Sequence, residues 1–128
     1  MINDNTRPIY LQIADSICDD ILASALHSGD RLPSVREYAA RMQVNPNTVM
    51  RTYDTLSQQG IIFNRRGVGY FVAEQAADAV RADRAERLLN QQLLDVFNSL
   101  WLMGITPAEL LRRYETFITS KNNNSPQQ

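Results

Sequence analysis

The sequence predicts a mainly α-helical protein with one small β-hairpin. Two short helix patterns joined by a tight turn lie between residues 31 and 60, and two β-prone runs flank a glycine-containing turn directly after them. Two further amphipathic patterns follow. With an N-terminal helix, these elements predict a winged helix-turn-helix at residues 1–75, a helical hairpin at 76–119 and a polar, disordered tail at 120–128.

The first helix is predicted to open at Pro8, because proline fits the first helical turn. Its apolar residues recur at three- and four-residue steps and form one stripe, which we expect to be core: Ile13, Ala14, Ile17, Cys18, Ile21 and Ala25. Cys18 is the single cysteine of the chain and cannot form an internal disulfide. We therefore interpret it as a small buried hydrophobe.

The helix-turn-helix is predicted from its capping residues. Ser34 is followed three positions later by Glu37, a capping box that begins one helix. Asn45 and Pro46 then supply an N-cap and a first-position proline for a second helix, and Gly60 is placed to end it.

The second of these helices has one apolar and one polar side. At about 100° per residue the apolar side comprises Val49, Tyr53 and Leu56, and the polar side comprises Asn47, Arg51, Asp54 and Gln58. A second helix that presents Asn47, Thr48 and Arg51 near its N-terminus is typical of a helix-turn-helix that enters the DNA major groove.

The β-prone runs Ile61–Phe63 and Tyr70–Val72 flank a turn that contains Arg65, Arg66 and Gly67. Glycine lets a hairpin tip approach a sugar-phosphate surface, and the two arginines would contact phosphates or the minor groove. Taken alone, such a turn is more often an ordinary exposed hairpin tip.

The distribution of charge along the chain indicates nucleic-acid binding more strongly than the total charge does. The net charge of −1 is not that of a strongly basic domain, but acidic residues crowd the first helix while Arg36, Arg51, Arg65 and Arg66 fall in the predicted binding elements. The chain has 12 arginines and one lysine. This bias suits bidentate contacts to phosphate and guanine, or else it reflects genome composition.

Catalysis is not indicated. With one cysteine and one histidine, His27, the chain lacks a plausible nucleophile-base pair or metal-ligand set, and no catalytic residue, metal or cofactor is predicted. No stretch approaches the roughly 18 to 20 apolar residues of a membrane span, and the first residues lack a signal-peptide pattern. We therefore expect a cytoplasmic protein.

Three motifs, RLPSVREYAARMQV, NPNTVMRTYDTLSQQG and RRGVGYFV, resemble the DNA-binding domain of the GntR family of bacterial transcription regulators over residues 8–74. The resemblance implies DNA contacts at Ser34, Arg36, Asn47, Thr48, Arg51, Arg66 and Gly67, to which the wing chemistry adds Arg65. Many members carry arginine where this chain has Met50. The arginine one position later, at Arg51, is similar to the YtrA-like branch, whose members commonly repress operons for ATP-binding-cassette transporters.

The C-terminal pattern predicts one helix from Ala76 to Met103, ended by Gly104, and a second that opens with a capping box at Thr106. Two helices alone cannot bury this much apolar surface, so we expect a homodimer, as the YtrA-like resemblance also implies. Alternatively, the hairpin completes the monomer's core. The expected dimerisation residues are Leu89, Leu93, Val96, Phe97, Leu100, Trp101, Leu111, Tyr114 and Phe117.

The sequence thus predicts a sequence-specific DNA-binding transcription regulator. We expect a dimeric repressor of a transporter operon whose partner is a near-palindromic double-stranded operator with half-sites about 10 base pairs apart. A small-molecule effector of unknown identity is left open, and no membrane partner is expected. The alternative is a winged-helix module for protein interaction, which would not need arginines on a DNA-facing surface.

Overall fold

The computed structural model describes residues 6–124 and divides the chain into two compact units, Met1–Ala85 and Glu86–Gln128. The first unit contains α1 (Ile9–Leu22), α2 (Val35–Met42), α3 (Pro46–Gln58), β1 (Ile62–Arg65), β2 (Gly69–Val72) and most of α4 (Ala76–Arg87). The second contains a π-helical segment (Leu88–Gln92), α5 (Leu93–Leu102) and α6 (Pro107–Asn124). The predicted fold class, mainly helical with a β-hairpin wing, is confirmed.

The core of the first unit forms between α1, α3 and the wing. The predicted stripe of α1 is buried from Ile13 to Ile21, and Cys18 lies within it. Ala25 is exposed, because α1 ends at Leu22 and the chain has already turned. From α3, Val49, Tyr53 and Leu56 are all 0% exposed. The inward direction predicted for α3 is therefore confirmed.

Side-chain caps fix where α2 and α3 begin. The backbone N–H of Ser34 donates to Glu37 Oε1 at 3.0 Å, and the N–H of Glu37 donates to Ser34 Oγ at 3.1 Å. This is the predicted capping box. Asn45 Oδ1 accepts from the N–H of Asn47 at 2.8 Å, with Pro46 at the first helical position. Gly60 follows α3 at a φ of 76°, the left-handed geometry expected there.

The wing is an antiparallel two-stranded hairpin. Its register pairs Ile62 with Val72 at the base and Arg65 with Gly69 at the tip. Arg31 forms an isolated antiparallel bridge to Phe71, so the segment before α2 lies along the outer side of β2. The wing is thereby tied to the helix-turn-helix.

The first unit extends past the predicted boundary at residue 75. Ala76 and Val80 of α4 are 1% exposed and belong to the core of this unit. The Arg84 guanidinium donates to Asp19 Oδ1 at 2.7 Å and to the Asp15 carbonyl at 3.1 Å, which fastens α4 to α1. The helix predicted from 76 to 103 is interrupted in its hydrogen bonding by the π-helical segment.

In the second unit, neither α5 nor α6 contains a buried residue. α6 begins where Thr106 Oγ1 accepts from the N–H of Glu109 at 3.2 Å, which is one of the two bonds of the predicted capping box; the Glu109 carboxylate instead accepts from Arg112 and Arg113. It runs to Asn124, so the prediction of disorder is wrong for residues 120–124, which are helical, and residues 125–128 lie outside the described part. None of the described helices is both long enough and apolar enough to cross a membrane.

Candidate nucleic-acid interface

The outward side of α3 is the centre of the candidate interface. Asn47 and Arg51 are exposed and Thr48 is half-buried, while the opposite side of the helix is sealed in the core. The Tyr53 hydroxyl donates to the Pro33 carbonyl at 2.7 Å, which fixes α3 against the residue before Ser34. Burial raises the pKa of Tyr53, so this hydroxyl remains a protonated donor. The rotation of α3 is therefore set by packing.

The start of α2 presents two of the predicted residues, Ser34 and Arg36, both exposed. Ser34 Oγ accepts the Glu37 N–H at 3.1 Å, which holds this side chain at the exposed start of α2. Hydrogen bonds from the Ser34 backbone N–H and then its side chain hold the pKa of Glu37 below its ordinary value of 4.5. The carboxylate is thus kept ionised in the cap.

The wing tip presents Arg65, Arg66 and Gly67, all exposed. Phe63 and Phe71 stack with ring centroids 5.8 Å apart, and the Arg65 guanidinium carbon lies 5.2 Å from the Phe71 centroid. The aromatic pair therefore supports Arg65 from one side. Gly67 has a φ of 77°, a conformation that side-chain-bearing residues rarely adopt, so glycine is required for this turn.

Arg31 is a candidate residue that sequence reasoning missed. A Cβ on Gly69 would come within 3.0 Å of Arg31 Nε, and Gly69 has a φ of 140°. The absence of a side chain at Gly69 therefore makes room for the arginine beside the wing. The signal in the sequence was only an arginine before Leu32–Ser34, and its nearness to Gly69 depends on a pairing between distant segments.

In the described part of the chain, the arginines of this surface form no ion pair with a carboxylate. Residues 31–73 contain two acidic residues and six arginines, and these six are all exposed: Arg31, Arg36, Arg41, Arg51, Arg65 and Arg66. Elsewhere in the chain, Arg7, Arg81, Arg84, Arg112 and Arg113 form ion pairs. Within residues 6–124 no ion pair is found for any of the six. Unpaired, exposed guanidinium groups on a helix-turn-helix and its wing suit a polyanionic partner.

Tyr10 of α1 is a second residue that the sequence did not predict. Its ring lies beneath the Arg51 guanidinium, in an open groove lined also by Ile9, Asn47 and Thr48. The groove brings together the three predicted residues of α3.

In the part of the chain that the structure describes, no group of three or more histidine, cysteine, aspartate or glutamate side chains could hold a metal ion.

The predicted dimerisation residues are apolar and mostly exposed on the second unit. Leu93 and Leu100 are half-buried, and the other seven range from 42% exposed at Phe97 to 78% exposed at Trp101. Leu94, Leu102 and Ile118 add to this exposed set. So much accessible apolar surface is unusual for a monomer and typical of an interface.

The chain is similar to known bacterial regulators over most of its length. A family model described as bacterial regulatory proteins, gntR family, matches residues 9–72. The HTH-type transcriptional regulator YhcF of Bacillus subtilis is 41% identical over 88% of this chain and 92% of its own length. The HTH-type transcriptional repressor YtrA of the same species is 42% identical, with 56% of this chain and 55% of YtrA covered. A protein from Bacteroides thetaiotaomicron, solved as a GntR-family regulator, superposes with a TM-score of 0.77 at 44% identity, with 89% of this chain and 99% of that protein covered.

Proposed function

Because this chain belongs to the GntR family and is a DNA-binding transcription regulator, we propose that it acts as a dimeric repressor at a near-palindromic operator. The observation that carries the DNA-contacting part of this proposal is the set of six exposed arginines on the helix-turn-helix and wing, none of which forms an ion pair within residues 6–124. Such a surface binds phosphates through charge and reads bases through the residues that reach the groove.

In this proposal α3 enters the major groove. Arg51 and Asn47 are directed at base edges, because both are exposed near the N-terminus of α3 and both side chains suit bidentate pairing, arginine with guanine and asparagine with adenine. Ser34, Arg36 and Thr48 bind phosphates beside the groove. The wing residues Arg65, Arg66 and Gly67 bind the adjacent backbone or minor groove, as the turn geometry at Gly67 permits.

We further propose that the apolar surface of the second unit forms the dimer seam. A dimer places two copies of α3 in successive major grooves, about 10 base pairs apart, so that each copy reads one half-site. The alternative in which this hairpin completes the monomer's core has less support, since α5 and α6 contain no buried residue.

The repressor role and the kind of operon rest on similarity. The relative YtrA is named as a transcriptional repressor, although this chain spans only about half of its length. The YtrA-like branch, which the Arg51 pattern resembles, commonly represses operons for ATP-binding-cassette transporters, and we propose the same target class here. The site of action is then the cytoplasm, where bacterial operators lie. Binding of a small-molecule effector is left open, and no pocket is assigned to one.

The alternative function, protein interaction without DNA binding, makes opposite predictions for one variant. A duplex selected from a random library by the wild-type protein, and a scrambled duplex of the same composition, serve as probes at several salt concentrations. Arg51→Ala should weaken binding to the selected duplex by about 1 to 3 kcal/mol per contact and reduce the preference over scrambled DNA. Arg81→Ala is the control, since Arg81 forms a surface ion pair with Asp78. Failure to select any duplex, or equal loss on both duplexes, would contradict the base-reading proposal.

A further inference from the structure

We propose that Tyr10, in the first turn of α1, is a positioning residue that holds the Arg51 guanidinium in the orientation needed to read a base. This inference rests on the proposed function. It adds a specificity-determining residue outside the helix-turn-helix, on a helix that is otherwise a core element.

The contact is close. The Arg51 guanidinium carbon lies 4.0 Å from the centre of the Tyr10 ring, well within the roughly 6 Å at which a cation is attracted to an aromatic face. By comparison, the same carbon of Arg65 lies 5.2 Å and 6.0 Å from its two aromatic neighbours. Arg51 is therefore the arginine held most closely by an aromatic ring among the described cation–ring contacts.

Stacking leaves the hydrogen-bonding groups of Arg51 available. The guanidinium is planar, its face can rest on a ring, and its five N–H donors point outward in its own plane. Within residues 6–124 no hydrogen bond or ion pair involves the Arg51 guanidinium. Its donors are thus free to form a bidentate pair with guanine while the ring restricts the side chain from behind.

The backbone that carries this ring is fixed to α3. The Thr52 hydroxyl donates to the Tyr10 carbonyl at 2.7 Å and to the Thr48 carbonyl at 3.1 Å, and Thr52 is 0% exposed. This buried bond locks the first turn of α1 to the helix that carries Arg51. An exposed arginine side chain loses conformational entropy when a contact orders it. A ring that already restricts the side chain in the free protein reduces this loss on binding.

The test measures coupling between the two residues. The same selected and scrambled duplexes are titrated with full-length wild type, Tyr10→Leu, Tyr10→Phe, Arg51→Ala and the Tyr10→Leu/Arg51→Ala double variant. Tyr10→Leu keeps apolar bulk but removes the ring, and should reduce the preference for the selected duplex about 5- to 30-fold for a dimer with two such contacts. Tyr10→Phe should restore most of the preference. The double variant should differ from Arg51→Ala by less than about twofold in its preference for the selected duplex, because the ring then has no guanidinium to hold.

A measurement without DNA follows the stacking itself. In NMR spectra the Arg51 side-chain resonances should be shifted by the ring in wild type and Tyr10→Phe, and should lose that shift in Tyr10→Leu, while thermal unfolding verifies that each variant folds. If Tyr10→Leu lowers the preference equally with and without Arg51, or leaves it unchanged, the inference is overturned. If Arg51→Ala itself leaves the preference unchanged, the base-reading role under the proposed function fails instead.

Discussion

Substitution of Phe97 by aspartate tests the proposed dimer seam. Phe97 lies in the middle of α5 and is 42% exposed. A phenylalanine side chain buries about 200 Å² when fully enclosed, so about 80 Å² per copy remains for an interface. At about 25 cal/mol per Å², two symmetric copies contribute up to about 4 kcal/mol, and partial burial about half of that.

Phe97→Asp should therefore weaken dimerisation about 30- to 1000-fold, and more if the new carboxylate is enclosed without a partner. Sedimentation velocity over a concentration series measures the dimer dissociation constant directly. Asn98→Asp is the matched control, because it adds the same charge at the next, exposed position of α5. An unchanged dissociation constant for Phe97→Asp, or an equal effect of Asn98→Asp, would refute the assignment of this face to the seam.

Three further predictions concern the winged unit. Arg65→Ala should lower affinity for selected and scrambled duplexes alike and reduce the slope of log K against log salt by about one per contact, whereas Arg81→Ala should leave the slope unchanged in the same titration. Because hydrogen bonds from Ser34 lower the pKa of Glu37, the ionised Glu37 carboxylate stabilises the fold above pH 4.5, and this stabilisation is lost as the pH falls through the folded-state pKa. Urea unfolding should therefore show that the free-energy cost of Glu37→Gln shrinks from about pH 6 to about pH 3. Thr52→Val should cost about 0.5 to 1.5 kcal/mol in urea unfolding, because it removes the hydroxyl that donates to the Tyr10 carbonyl, whereas Thr55→Val, whose bond to the Arg51 carbonyl is exposed, should cost less than about 0.5 kcal/mol.

The elements of the winged unit could be predicted from the sequence because their signals are local. Ser34 and Glu37 sit three residues apart and cap each other, and Asn45 caps α3 beside the first-position proline. The side of α3 that faces the core could be predicted from the helical repeat alone, since Val49, Tyr53 and Leu56 recur on one side of the helix. These features need no knowledge of distant segments.

The features that were missed depend on contacts between distant segments. The stacking of Arg51 on Tyr10 joins residues from two helices, and the position of Arg31 beside Gly69 needs the wing to fold back. The boundary at residue 75 was placed too early because residues 76–103 were interpreted as one helix, whereas the burial of Ala76 and Val80 and the ion pair between Arg84 and Asp19 join its first turns to the winged unit. The helical state of residues 120–124 was missed because a polar composition indicates disorder, whereas α6 continues through them.

The most direct test of the central claim is a hydroxyl-radical footprint of the full-length protein on its selected duplex. A dimer with two outward-facing α3 helices should protect two clusters of sugars related by the dyad of the site, about 10 base pairs apart and on one side of the duplex. Phe97→Asp should lose this paired pattern at concentrations at which Asn98→Asp retains it. A single protected cluster for wild type, or two clusters on opposite sides of the duplex, would contradict the account.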